Sequence, residues 1–173
     1  QDTDYAWTTF GSLPTATTDV YLYANWKPNP YPLNFNPNGG QCDTASKTVN
    51  YTQAYGTLPT PTRDGYTFDG WFTDTSGDTQ VSASSTMQTI GGTTVYAHWH
   101  PTTYYISYTL QGGTNHPNNP SSYNIEQTPF TLNTPTRNDY TFIGWTNNTY
   151  INHTLSVTIP EGSFGDYSFT ANW

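Results

Sequence analysis

The segment Thr60-Pro61-Thr62-Arg63 returns 74 positions later as Thr134-Pro135-Thr136-Arg137, and no other property of this chain limits its fold so strongly. At the same offset, Gly65-Tyr66-Thr67-Phe68-Asp69-Gly70-Trp71 returns as Asp139-Tyr140-Thr141-Phe142-Ile143-Gly144-Trp145. Ala97-His98-Trp99 returns as Ala171-Asn172-Trp173, and an earlier copy stands at Ala24-Asn25-Trp26. Asn38-Gly39-Gly40 returns as Gln111-Gly112-Gly113, at an offset of 73. Repetition at a fixed period marks a chain built from successive units that share one fold. The register divides the sequence into the C-terminal half of a repeat at 1–26, a linker at 27–31, a full repeat at 32–99, a linker at 100–103 and a full repeat at 104–173.

Each unit reads as strands and turns. Leu22, Ala24 and Trp26 share one face of a closing strand, as do Val95, Ala97 and Trp99, and Phe169, Ala171 and Trp173. Asn25, His98 and Asn172 fall on the opposite face. Such period-two alternation describes a half-buried strand. Trp26, Trp71, Trp99, Trp145 and Trp173 are therefore expected to form the structural core of the repeats. Gly70 before Trp71 offers a place for a bulge. Thr, Asn and Ser supply 62 residues, whereas the good helix formers supply only 29, so little helix is expected. Leu, Ile, Val and Phe number just 26, but 29 aromatic rings compensate. Each large ring buries roughly 150–250 Å².

These motifs resemble the Listeria–Bacteroides repeat, also called the internalin B-repeat, found in bacterial surface proteins. The first full unit carries the family elements as Phe35, Asn38-Gly39-Gly40, Pro61-Thr62-Arg63, Gly65 to Trp71 and Tyr96-Ala97-His98-Trp99. The second departs from them at Asp139, where a Gly precedes the motif Tyr, and at Thr170, where a Tyr precedes Ala171. The resemblance implies tandem small β-grasp-like modules at the extracellular cell surface. It also implies a role as adhesin, stalk or spacer rather than as a catalyst. The short Pro-containing linkers, semi-rigid because Pro fixes φ, add an expected shape of beads on a string.

Composition removes several other functions. The net charge is −8, with only four Lys and Arg, which cannot neutralise a useful run of phosphates, so no nucleic-acid partner is expected. No apolar stretch approaches the ~18 residues of a membrane-spanning helix, so no membrane insertion is expected. Cys42 stands alone, which leaves neither a disulfide framework nor a Cys-based zinc site. His98 and His100 share a strand face without an evident third ligand. The loop Asp74-Thr75-Ser76-Gly77-Asp78 offers oxygens but lacks the bidentate Glu of a calcium-binding EF-hand. No nucleophile sits beside an oriented base in a recognisable motif. The expectation is no enzyme, no metal and no cofactor. Arg63 and Arg137 are expected to close a turn or to pair with a nearby Asp or carbonyl. Asn50, Asn147 and Asn152 match the N-glycosylation acceptor pattern.

Two functions follow from this reading. The first is a non-catalytic extracellular module of a surface adhesin, stalk or fibre, whose partners are neighbouring repeats or copies of the same protein joined head to tail. The second is a module that binds a glycan or host surface through exposed rings, with Tyr104, Tyr105 and Tyr108 as the candidate cluster. The closing strand Val20 to Trp26, which has no opening half of its own, points to a segment of a longer assembly.

Overall fold

A computed structural model describes residues 25–173. The half repeat expected over 1–26 lies outside the described residues apart from Asn25 and Trp26.

The first full unit is a five-stranded sheet made of β1 (Pro30–Asn36), β2 (Ser46–Asn50), β3 (Tyr66–Phe72), β4 (Gln80–Val81) and β5 (Thr93–Pro101). The strands lie in the order β2-β1-β5-β3-β4. Only β1 and β5 run parallel, from Leu33 beside Thr93 to Asn36 beside Tyr96. Proline enters this central strand because of where its missing N–H would point. Asn29 and Phe35 bond towards the β2 side, so the even-numbered Pro30 and Pro32 face the other side, before pairing with β5 begins at Leu33. The β3–β5 register shifts between Phe68 and Gly70, and Gly70 has a φ of +142° there. That shift turns Trp71 into the core.

The second unit repeats the plan. Its strands are β6 (Tyr104–Thr109), β7 (Ser122–Tyr123), β8 (Phe130–Thr131), β9 (Gly144–Thr146), β10 (Thr158–Ile159) and β11 (Tyr167–Asn172). The main sheet has the order β7-β6-β11-β9, again with its first and last strands, β6 and β11, parallel. A partner for β9 at the position of β4 shrinks to a bridge between Trp145 and Thr154. A separate pair, β8 with β10, closes one side. One 3-10 turn, Ile125–Gln127, is the only helical element among the described residues.

No α-helix covers either sheet among the described residues. In the first unit the face is covered instead by Tyr55 and Leu58, from a segment broken by Gly56, Pro59 and Pro61, and by Met87 from the stretch between β4 and β5. Leu132, Val157 and Ile159 do the same in the second. The chain is mostly β, in tandem small units, as its repeats imply.

Each unit has its own core. Trp71 packs against Phe35 at 5.0 Å and Phe68 at 5.6 Å, and Trp145 against Tyr108 at 5.6 Å and Phe142 at 5.3 Å. Trp99 and Trp173 are half-buried at the edge, reached through Phe68 and Phe142 respectively. Trp26 departs from the expectation. It is 71% exposed and stands in the core of neither described unit. The linkers are also shorter than expected. β1 already includes Pro30 and Tyr31, and β5 runs on through His100 and Pro101, so only Thr102 and Thr103 connect the two sheets.

Candidate functional site

The repeat motifs converge at one pole of each unit. In the first, Asn38 takes a left-handed φ of +47° and its amide donates to the Ala97 carbonyl at 3.0 Å. Gln41 and Thr62 exchange backbone hydrogen bonds of 2.7 and 2.8 Å, which ties the Asn-Gly-Gly turn to the Pro-Thr-Arg turn. The Trp99 indole N–H donates to the Pro37 carbonyl at 3.0 Å and closes the pole from below. The second unit makes the same bonds. Gln111 has a φ of +50° and donates to the Ala171 carbonyl at 3.1 Å, Thr114 and Thr136 bond mutually, and Trp173 donates to the Leu110 carbonyl at 3.0 Å.

Among the described residues neither arginine pairs with a carboxylate. The guanidinium of Arg63 lies 3.8 Å from the centroid of the Tyr66 ring, and that of Arg137 lies 3.6 Å from that of Tyr140. A cation over an aromatic face at this distance is attracted by the ring quadrupole. The sequence reading anticipated a turn-closing role but missed the ring, although both Arg-x-x-Tyr spacings were in view.

The poles differ in what lies on them. Against the first pole rests the 3-10 turn of the second unit. Ile125 covers Gly65, where an added Cβ would come within 2.6 Å of Ile125 Cδ1. The Tyr66 hydroxyl donates to Glu126 Oε1 at 3.1 Å. The turn is capped by its own side chains, since Asn124 Oδ1 accepts from the Glu126 N–H and Gln127 Oε1 accepts from the Asn124 N–H. A groove of about 660 Å³ runs along this junction, lined by Gly39, Arg63, Asp64, Tyr66 and Ile125 among others. At the second pole Tyr140 is 56% exposed. The docking turn was not anticipated, yet Asn50-Tyr51-Thr52-Gln53 and Asn124-Ile125-Glu126-Gln127 share the same register.

The remaining candidates scatter. Asn50 ends β2 and is exposed, and Asn152 is exposed in the loop after β9. Asn147 is half-buried, with its Oδ1 taken by the N–H groups of Thr149 and Tyr150. Of the proposed tyrosine cluster, Tyr105 alone is exposed, at 65%. Tyr104 packs near Tyr123, and Tyr108 lies against Trp145 and Phe169. The His98 ring bonds to the Asp74 carbonyl at 2.9 Å, while His100 pairs with Asp69. Among the described residues no three His, Cys, Asp or Glu side chains come together. No helix among them is long and apolar enough to cross a membrane.

The fold and its poles define a class, the tandem small β repeat in which a short sequence signature closes one end of each unit. The Listeria–Bacteroides repeat domain matches residues 31–98 and again 104–170, and the chain belongs to that family. Two relatives come from Evansella cellulosilytica. One, named "Putative membrane protein", is 31% identical over 134 residues, which is 76% of this chain and 20% of that protein. The other, named "Putative Gly-rich membrane protein", is 28% identical over 99 residues, 57% of this chain and 11% of that protein. The chain thus spans a fifth or less of the length of these relatives. No solved structure matches it.

Proposed function

We propose that this chain is a non-catalytic segment of a bacterial cell-surface protein. Its β-grasp-like units, joined head to tail, hold other parts of that protein away from the cell. One observation carries the reading: the signature residues Trp99, Arg63 and Asn38 act within the unit, and the pole they build receives the next unit through Ile125 and Glu126. Side chains engaged in this way hold shape and are not left over for turnover. The membrane-protein names of its much longer relatives agree with a surface location. The test grafts one, two or three copies of residues 27–173 between a cell-wall anchor and a fluorescent reporter. A reporter height that grows by a constant step per copy is expected. A height independent of copy number overturns the stalk.

A second reading, glycan binding, draws on a polar groove of about 760 Å³ beside β9 and β11, lined by Asn147, Asn148, Asp166 and Asn172 among others. Saturable binding on a glycan array, lost on Asp166→Ala, is what that reading requires.

A further inference from the structure

The two poles are built alike but differ in sequence, among other places at Asn38 and Gln111, Asp64 and Asn138, and Gly65 and Asp139, and of these Gly65 lies directly under Ile125. Tyr66 N–H donates to the Arg63 carbonyl at 3.1 Å, and Tyr140 N–H to the Arg137 carbonyl at 3.2 Å. Both turns carry their arginine over the following tyrosine. Both also place the residue before that tyrosine in the left-handed region, Gly65 at φ +77° and Asp139 at φ +60°. A glycine at this point is usually explained by the backbone. Asp139 removes that explanation here, because a residue with a side chain adopts the same turn, as Asn and Asp do more readily than other residues. What Gly65 supplies is space. It is buried under Ile125, and a Cβ there would lie 2.6 Å from Ile125 Cδ1, 3.1 Å from Cβ and 3.3 Å from Cγ1. Of these atoms Ile125 Cβ is fixed to the backbone of a capped turn, so no change of rotamer moves it aside.

We infer that the residue before the motif tyrosine selects whether a repeat receives its neighbour. Glycine at 65 admits a capped turn bearing an aliphatic residue followed by a carboxylate, and aspartate at 139 closes the equivalent pole to such a turn. The closure is both steric and electrostatic. The Asp139 side chain fills the place of the incoming aliphatic group, and its carboxylate would face the acidic residue that follows. The inference rests on the head-to-tail reading above, but it concerns which junctions are rigid, and a stalk with every junction loose would still extend.

The experiment measures distance distributions by spin labels, one in each unit of the full 173-residue chain. A narrow distribution is expected for the parent. Gly65→Asp and Gly65→Asn should both lose the narrow component, while near-ultraviolet circular dichroism shows the Trp71 core intact. A broad distribution in the parent, or a narrow one that survives both substitutions, overturns the selector. The closed pole is tested on the chain extended after Trp173 by a second copy of residues 100–173. The labelled junction between the two copies should be broad as it stands and narrow after Asp139→Gly. A narrow junction with Asp139 in place overturns the closure. Reporter height rising with copy number while these distances fail would leave the stalk reading standing without the selector.

Discussion

Trp99 lies against Gly40 with no room for a methyl group between them, since a Cβ on Gly40 would stand 2.6 Å from Trp99 Cζ2 and 2.6 Å from the Thr62 carbonyl oxygen. Gly113 has the same relation to Trp173 and to Thr136. The backbone oxygen cannot move without breaking the bond between the two turns. Gly40→Ala and Gly113→Ala should therefore each destabilise their own unit by about 1–3 kcal/mol, the usual range for overpacking. Urea unfolding followed by tryptophan fluorescence checks this, and a midpoint unchanged by both substitutions would contradict the close approach.

The buried tryptophans are equivalent in position but not in bonding. The Trp71 indole N–H donates to the Pro59 carbonyl at 2.8 Å. The matching carbonyl in the second unit belongs to Asn133, and it accepts from the Asn119 amide at 2.9 Å. Trp145 Nε1 is buried with no hydrogen-bond partner among the described residues. Replacing each Trp by Phe removes similar packing, but only Trp71→Phe also breaks a hydrogen bond. Trp71→Phe should thus cost about 1–2 kcal/mol more than Trp145→Phe. Equal losses in denaturant unfolding would show the two environments to be the same.

Much of this was legible in the sequence. The offset between the copies located both units, and alternation around Ala97 and Ala171 placed their closing strands. The shared Asn-Gly-Gly and Pro-Thr-Arg signatures are visible as local turns, but that they bond to one another is not, because Gln41 and Thr62 meet only after the sheet has formed. The junction was less legible still. Tyr66 and Glu126 are 60 positions apart and lie in different units, so no periodicity links them. The docking turn has one aliphatic residue and no repeat of hydrophobicity, and its counterpart at Asn50 reads equally well as a sugar acceptor. The glycan-binding candidates Tyr104 and Tyr108 resemble exposed rings until the neighbours that cover them are known.

The turn joining β3 to β4 should resist acid. Asp74 Oδ1 accepts from the Ser76 hydroxyl at 2.7 Å and from the N–H groups of Ser76 and Gly77 at 2.9 Å each. These bonds, the Ser76 hydroxyl foremost, hold its carboxyl down at about 2, against an ordinary value of 3.8. A lowered value means that the contribution to stability is complete above the ordinary value and is lost as pH falls through the lowered one. Carbon-13 titration of the Asp74 carboxyl should give a midpoint near 2, with the Gly77 amide proton moving in step. A midpoint at the ordinary value would contradict these bonds.

Base acts on the second unit in the opposite sense. Burial pushes the Tyr108 and Tyr123 hydroxyls up to about 12, and each donates to a backbone carbonyl, that of Pro120 at 2.9 Å and that of Gly165 at 2.6 Å. A raised value means that their contribution is complete below the ordinary tyrosine value and disappears as pH rises through the raised one. Ultraviolet titration of tyrosinate should leave both hydroxyls protonated as pH passes the ordinary tyrosine value of 10.0. Ionisation of both at that ordinary value would contradict the burial.

The parallel pairing of β1 with β5, and of β6 with β11, has a mechanical consequence. The chain enters each sheet at one end and leaves it at the other, through two strands that lie side by side. Tension along such a chain drags these strands past one another, so their bonds are loaded in shear and must yield together. If the same two strands were antiparallel, the bonds would peel apart singly, like a zip. A unit of modest thermodynamic stability can in this way resist a pull far better than it resists heat.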